Sequence, residues 1–226
     1  MFSDRGLRMS EAVRDRALGA LIGLAIGDAL GTTLEFEARD TKPSLYDMMG
    51  GGPFDLQPGE WTDDTSMALC LADSLIAGNG LDERDLMERF CRWYEAGENS
   101  CTGGCFDIGI TTRNALEQFR RTDDPIAGPT DARTAGNGSI MRLAPVALRY
   151  WNDSERLRDV SRRQSYTTHG AEEAVDACDA LAMVLADLIG GKPLTHVLSA
   201  SYGPSSGGVR AVMDGSWKGK ARSDIR

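Results

Sequence analysis

The stretch "SEAVRDRALGALIGLAIGDALG", residues 10–31, decides the fold. Its apolar residues recur with helical periodicity, and Ser10–Glu11 is typical of a helix start. Glycine returns at every fourth position, at Gly19, Gly23, Gly27 and Gly31. This spacing places the glycines on one face, where another helix could approach closely. Each glycine costs about 1 kcal/mol of helix propensity relative to alanine, so close packing must offset that cost. We therefore predict a central, buried helix.

Helical patterns continue along the chain, and no two segments show the alternation of paired strands. Helices are predicted over residues 62–77, 81–98, 110–121, 139–151, 154–169 and 170–191, with a short one inside 192–203. Asp82 is the predicted cap of the helix over 81–98. No terminal helix is predicted in the tail after residue 201, which is rich in glycine, serine and charge. The sequence predicts one compact all-α domain over residues 1–226.

Composition and net charge limit the classes of binding partner that we expect. The 226 residues are 41% hydrophobic and 26% charged, as in soluble globular proteins, and their net charge is -9. A chain this acidic has no general attraction for nucleic acid or for anionic membranes, so neither is expected as a partner. The longest apolar run near the N-terminus, about eleven residues, is too short to span a bilayer. An acidic balance does suit divalent cations.

Cysteine usage favours a reducing compartment. Five cysteines are scattered along the chain, and Cys70, Cys91 and Cys178 lie in helical patterns typical of buried thiols. Cys101 and Cys105 form a CxxxC pair with no second pair, which argues against a zinc site. The start of the chain has no apolar core of a signal peptide. We expect a cytoplasmic protein.

The stretch "GEWTDDTSMAL", residues 59–69, contains two adjacent acids ahead of an apolar run. Thr62 would be a good N-cap, and Asp63 and Asp64 would then lie in the first turn, where carboxylates favour the helix dipole. The same acids and the hydroxyl could instead hold a hard cation from one side. Oxygen ligands favour Mg²⁺, Mn²⁺ or Ca²⁺ over zinc. The local pattern leaves both interpretations open.

Two further carboxylates lie in unusual surroundings. Glu35 stands between Leu34 and Phe36, and a carboxylate that such neighbours partly desolvate can serve as a proton acceptor, whereas Glu37 is interpreted as a solvated acid. Asp107 follows the glycine-rich stretch "CTGGC", where backbone can approach a ligand closely. Its local interpretation is a cap for the helix over 110–121.

Two segments could contact an anion or line a pocket. Asn137, Gly138 and Ser139 are predicted to open a helix, whose free N–H groups would suit a phosphate, although a plain capped helix is the alternative. His169 precedes the helix over 170–191 and is expected near the surface. It could cap that helix, face solvent or line a pocket.

Five segments in order resemble the ADP-ribosylglycohydrolase family, which includes the dinitrogenase reductase-activating glycohydrolase. They are "GALIGLAIGDALGTTLEFE", "GEWTDDTSMAL", "CFDIGITT", "GNGSIMRLAP" and "SYTTH", and they are spread over residues 17–169. The resemblance implies an orthogonal all-α bundle whose central cleft holds two Mg²⁺ or Mn²⁺ ions. It also implies hydrolysis of ADP-ribose from a modified protein, with arginine as the favoured linkage, or from a small ADP-ribosyl compound.

The resemblance assigns roles to ten residues of this chain. Thr62, Asp63 and Asp64 match the first half of the metal ligands. Glu35 and Asp107 match carboxylates of the cleft that would transfer protons. The segment that would hold ADP-ribose is matched by Asn137, Gly138, Ser139 and Met141, with His169 lining the same pocket.

One element of the family pattern is missing. The family carries a second metal motif, D-x-D-T, in its last quarter, whereas the acids after His196 are only Asp214 and Asp224. The chain thus resembles roughly the first three quarters of the family and carries half of the metal site. Three explanations follow: a split enzyme whose complementing chain carries D-x-D-T, a truncated product, or a degenerate module that binds ADP-ribose without hydrolysing it.

Overall fold

The computed structural model describes residues 9–38, 41–200, 202–204, 206–221 and 224. Within these ranges the chain is all-α, as predicted, and its only extended pairing is an isolated bridge between Gly51 and Leu56. The helices are α1 Glu11–Gly31, α2 Asp63–Ala77, α3 Glu83–Ala96, α4 Ile110–Thr122, α5 Ala144–Tyr150, α6 Ser154–Tyr166, α7 Glu172–Gly190, α8 Leu194–Val197 and α9 Gly207–Met213.

Capping residues explain several helix boundaries. Ser10 caps α1 by accepting a hydrogen bond from the Val13 amide at 3.3 Å. Asp82 caps α3 as predicted and accepts from the amides of Arg84 and Asp85 at 3.0 and 3.1 Å. Two boundaries differ from the prediction. The helix expected from residue 139 begins only at Ala144, and the tail after residue 201 contains the short helix α9.

The hydrophobic core lies between α2, α3, α5, α6 and α7. Its largest fully buried apolar side chains are Trp93, Phe90, Met67, Leu71, Leu86, Met87, Leu116, Leu143, Leu157 and Ile189. Cys70, Cys91 and Cys178 are buried free thiols, as the sequence predicted. The helix α2 packs against α3 and α5, and α7 packs against α1, α5 and α6. The start of α2 is therefore held rigidly by its surroundings.

The prediction that α1 is buried on all sides is wrong. One side packs against α2, α5 and α7, with Val13 and Ala17 buried. Among the described residues, no atom lies within 4 Å of a Cβ built at any of the four glycines of the stripe. Beside them, the side chains of Leu18, Ile22 and Ile26 are 45%, 53% and 47% exposed. The described part of the chain supplies no element to cover this face.

The helical segment that contains α1 is longer than the apolar run within it. Glu11–Leu34 spans 24 residues, and a window of 18 residues within it has a mean hydropathy of 1.6, so by length and composition it could cross a membrane. The expectation of a segment too short to span is therefore wrong for the helix. One such helix is weak evidence for a membrane, because core helices of soluble proteins meet the same criterion.

Asp28 joins the end of α1 to the start of α2. Its buried carboxylate accepts four donors, the amide and hydroxyl groups of both Thr62 and Thr65, at 2.6 to 3.1 Å. Thr62 occupies the N-cap position of α2, but its own side chain makes no capping bond. The expected cap is thus replaced by a carboxylate 34 residues earlier in the chain.

A buried polar network ties the turn before α5 to the end of α6. The Arg142 guanidinium is fully buried, donates to Gln164 at 2.8 and 2.9 Å and to Thr167 at 3.2 Å, and lies 4.5 Å from the Phe90 ring centroid. Its remaining nitrogen, Nη1, has no hydrogen-bond partner. Burial lowers the pKa of Arg142 to about 9. Hydrogen bonds and the ring thus replace the carboxylate that usually accompanies a buried guanidinium.

His169 lies in the same region and is buried, so the expectation that it lies near the surface is wrong. It is only 2% exposed, and its Nδ1 lies 2.9 Å from the Thr168 hydroxyl. Burial, with a smaller effect of Arg142, lowers the pKa of His169 from 6.5 to about 4. The imidazole is therefore neutral at pH 7.

Replacing Asp28 with alanine is expected to lower the free energy of unfolding by about 3 kcal/mol, because four donors lose their shared acceptor. Urea denaturation of the D28A variant would measure the loss. Asp15→Ala, at an exposed acid of the same helix, is the control and should cost about 0.5 kcal/mol or less. Equal losses in both variants would contradict the role of Asp28.

His169 should make stability depend on pH. Because its folded-state pKa is depressed, its stabilising contribution is present above pH 6.5 and is lost as pH falls through about 4. The loss is on the order of 3 kcal/mol. Denaturation midpoints between pH 4 and 7 should therefore fall less steeply for His169→Gln than for the wild type. Exposed His196→Gln is the control, and a wild-type slope in H169Q would disprove the assignment.

Candidate active site

A polar cleft opens where α1 ends and α2 begins. Its volume is about 280 Å³. It is lined by Gly27, Asp28, Gly31, Thr32, Leu34, Glu35, Thr62, Asp64 and Asn137. Four of the predicted site residues thus meet in one cleft, although they come from three separate segments of the chain.

The two adjacent acids of α2 lie in a strongly acidic environment. Asp63 is buried, and burial together with the charges of Asp64, Asp107 and Asp28 raises its pKa to about 8. Burial, Asp28 and Glu35 raise the pKa of Asp64 to about 6. The neighbouring charges responsible are all carboxylates. The first turn of α2 is therefore a concentration of negative charge that far exceeds what a helix dipole needs.

Glu35 and Asp107 form a carboxyl pair beside these acids. Burial, followed by the charge of the neighbouring Glu35 carboxylate, raises the pKa of Asp107 to about 7. A carboxyl group with this pKa can give or accept a proton near neutral pH. The local prediction of a helix cap at Asp107 is wrong, because the N-cap of α4 is Gly109 and no side chain caps it.

The donor set can be compared with what a divalent cation requires. Thr62, Asp63 and Asp64 offer hard oxygen donors, and the raised pKa values show a repulsion that a cation would relieve. Within the described ranges, no three His, Cys, Asp or Glu side chains are already arranged as a ligand group. The residues fit a hard cation in donor type and charge, and they supply part of a coordination sphere.

The segment after Asn137 is a turn rather than a helix start. The amides of Ile140 and Met141 both donate to the Asn137 carbonyl at 3.0 Å. The predicted anion site at a helix N-terminus is therefore not formed here. Ser139 is fully buried, and its hydroxyl accepts from Ser165 at 2.8 Å, while half-buried Met141 packs against the core. Of the four residues predicted to contact substrate, Asn137 is the one that lines the cleft.

The His169 ring packs against this turn at Gly138. A Cβ built at Gly138 would lie 2.6 Å from His169 Cε1 and 3.0 Å from the Thr112 hydroxyl. Only glycine fits this close approach of backbone to ring. The structure therefore brings Gly138 and His169 together, with the imidazole shaping the turn that borders the cleft.

Two important residues were not predicted as part of the site. Asp28 anchors the acid cluster. The only sequence feature that could have indicated this role is an aspartate in a helix predicted to be buried, together with the polar "TDDT" at residues 62–65. Arg142 supports the turn, and nothing in its local sequence distinguishes it from a surface arginine. A larger cleft of about 500 Å³ between α4 and residues 126–134 contains none of the predicted site residues.

Known proteins resemble this chain over most of its length. The sequence model of the ADP-ribosylglycohydrolase family matches residues 9–219. The ADP-ribosylarginine hydrolase Tri1 of Serratia proteamaculans is 49% identical over 94% of this chain and 58% of its own length. The ADP-ribosyl-[dinitrogen reductase] glycohydrolase of Rhodospirillum rubrum is 37% identical over 80% of this chain and 60% of its own length.

A solved structure described as an ADP-ribosylglycohydrolase-related protein complex superimposes with a TM-score of 0.78 at 42% identity, covering 92% of this chain and 69% of that chain. The present chain spans about three fifths of the length of the two curated relatives. The family match over most of the residues, together with this shared fold, leads to one conclusion: the chain belongs to the ADP-ribosylglycohydrolase family.

Proposed function

We propose that this chain carries the acid cluster and the substrate turn of a metal-dependent hydrolase that removes ADP-ribose from arginine side chains of proteins in the cytoplasm. The observation that carries the proposal is the convergence of Asp28, Glu35, Asp63, Asp64 and Asp107 beside the Asn137 turn. Relatives 49% and 47% identical to the chain bear the name ADP-ribosylarginine hydrolase, which supports the choice of arginine.

Thr62, Asp63 and Asp64 would hold Mg²⁺ or Mn²⁺. When bound, such an ion would polarise a water molecule and bind the ribose hydroxyls next to the anomeric carbon. The start of α2 supplies these side chains on a rigid support, because Asp28 fixes the Thr62 amide and hydroxyl. Placement on a well-packed helix favours a precise geometry for the ligands.

Proton transfer falls to the Glu35–Asp107 pair. Hydrolysis of an N-glycosidic bond needs one group to take a proton from the attacking water and one to give a proton to the departing nitrogen. With a pKa near 7, Asp107 can both give and accept a proton at neutral pH, and its neighbour Glu35 lines the cleft.

ADP-ribose would lie along the Asn137 turn. Because the amides of Ile140 and Met141 are engaged within the turn and Gly138 and Ser139 are buried, we assign the contact with ADP-ribose to Asn137, which lines the cleft. The neutral imidazole of His169 adds no positive charge at pH 7 and packs against Gly138 of the turn.

A second candidate function is a module that binds ADP-ribose without hydrolysing it. One observation favours it: the described residues present only part of a coordination sphere. The two functions differ in their need for metal. A pure binding module would bind ADP-ribose equally with and without a chelator.

Asp63→Asn and Asp64→Asn should each weaken Mn²⁺ binding at least tenfold in calorimetric titrations, because each removes an anionic oxygen donor. Both variants should also lose the Mn²⁺-dependent release of ADP-ribose from an ADP-ribosylated arginine protein. Asp73→Asn, farther along the same helix, is the matched control and should retain wild-type affinity. Unchanged Mn²⁺ affinity in D63N and D64N would refute the metal assignment.

The exposed face of α1 is the surface that we assign to a complementing partner segment. We propose that a helical segment, corresponding to the remaining two fifths of the relatives and carrying the D-x-D-T motif, packs on Leu18, Ile22 and Ile26 and completes the cation site. The open glycine stripe beside these residues and the adjoining cleft support this occupant. Close approach of a second helix would offset the cost of the glycines.

Mixing the chain with that segment of the Serratia relative should give a one-to-one complex in native mass spectrometry. Ile22→Glu together with Ile26→Glu should weaken the complex at least tenfold, because each charge would be buried at the interface. Ile76→Glu, at a 74% exposed position of α2, is the control. Homodimers of the chain, or binding of the α1 face to lipid vesicles, would identify a different occupant and overturn this proposal.

A further inference from the structure

Three phenylalanine rings border the acid cluster. The Phe54 ring centroid lies 6.2 Å from that of Phe36, edge to face, and 5.2 Å from that of Phe106. The Phe36 side chain is 79% exposed, and the other two are half-buried. We call these three rings the aromatic rim.

Two residues of the aromatic rim are direct sequence neighbours of the carboxyl pair. Phe36 directly follows Glu35, and Phe106 directly precedes Asp107. Both of these rings contact Phe54, so they lie together beside the pair. Glu35 also lines the cleft, so the rim stands where the cleft meets solvent.

The backbone holds this arrangement in an unfavourable conformation. Phe36 has a φ angle of 58°, in the left-handed region that bulky residues rarely adopt, whereas Asp107, with a φ angle of 57°, is of a type found there more often. Burial of the Phe36 ring does not compensate, since most of the ring is exposed. Strain of this kind at an exposed aromatic residue is typical of a ligand-contacting position.

We propose that the aromatic rim and the Glu35–Asp107 pair together form the subsite for the guanidinium group of an ADP-ribosylated arginine. This deepens the proposed function and rests on it. A guanidinium is a planar cation that stacks on aromatic faces while its N–H groups donate to carboxylates. The rim offers the rings and the pair offers the acceptors. A serine hydroxyl has neither the charge nor the planar face, so this subsite selects the arginine linkage.

The first test uses a guanidinium without ADP-ribose. Phenylalanine ring signals of the ¹³C-labelled chain would be followed by NMR during titration with butylguanidinium and with butylammonium. The rim signals should move with butylguanidinium and much less with butylammonium, which has no planar face. Phe36→Gly removes the ring and also relieves the left-handed backbone, so it should fold and bind butylguanidinium about threefold to tenfold more weakly.

Tyr46→Ala is the matched control, because Tyr46 is a 95% exposed aromatic residue outside the rim. It should leave butylguanidinium binding unchanged. Equal responses to both cations, or wild-type affinity in F36G, would overturn the assignment.

The second test separates this subsite from the proposed function. Calorimetry would compare binding of ADP-ribosyl-arginine, ADP-ribosyl-serine and ADP-ribose with the wild type and with F36G. We expect F36G to lose affinity for the arginine compound alone. Failure of all three to bind would contradict the proposed function, whereas the titration with butylguanidinium would still decide the subsite. Equal losses for the arginine and serine compounds would overturn the subsite.

Discussion

One carboxylate, that of Asp28, holds together the parts of the molecule that matter for chemistry. It lies at the end of α1 and accepts hydrogen bonds from the amide and hydroxyl of Thr62 and of Thr65. These contacts cap α2 from outside and fix the direction in which its first turn presents Asp63 and Asp64. Replacing a local cap by a distant one couples the position of the acids to the packing of α1.

The two sides of the cleft use opposite means of burying polar groups. On the α2 side, burial together with repulsion between the crowded acids raises their pKa values and keeps protons on them to unusually high pH. On the opposite side, the Arg142 guanidinium is buried without a carboxylate, and His169 is held neutral. The acid-lined side of the cleft, which suits cations, therefore faces the Asn137 turn, which suits a ligand by its shape rather than by its charge.

Local sequence patterns were sufficient for most helices. Periodicity and caps located α2, α3, α4, α6 and α7 to within about three residues, because helical periodicity is a local signal and because Asp82 and Asp153 cap α3 and α6. The start of α5 was misplaced because the Asn137 carbonyl accepts the amides of Ile140 and Met141 in a turn. Local patterns also failed where distant residues decide. The burial of His169 depends on Gly138 and Arg142, which are about thirty residues away. Four of the five acids in the cluster were predicted, and Asp28 was missed because its hydrogen bonds to Thr62 and Thr65 are visible only in three dimensions.

The glycine stripe of α1 has a consequence for how the fold opens. Four glycines lower the intrinsic helix stability by roughly 4 kcal/mol, and the described structure places nothing on their face to compensate. Among the described residues, the helix is held by its contacts with α2, α5 and α7. We therefore expect α1 to detach as a unit of sub-global unfolding, with amides that exchange with solvent before those of the core. When α1 detaches, Asp28 moves with it and loses its hydrogen bonds to α2. Unfolding of this helix and disruption of the acid cluster are therefore a single cooperative event.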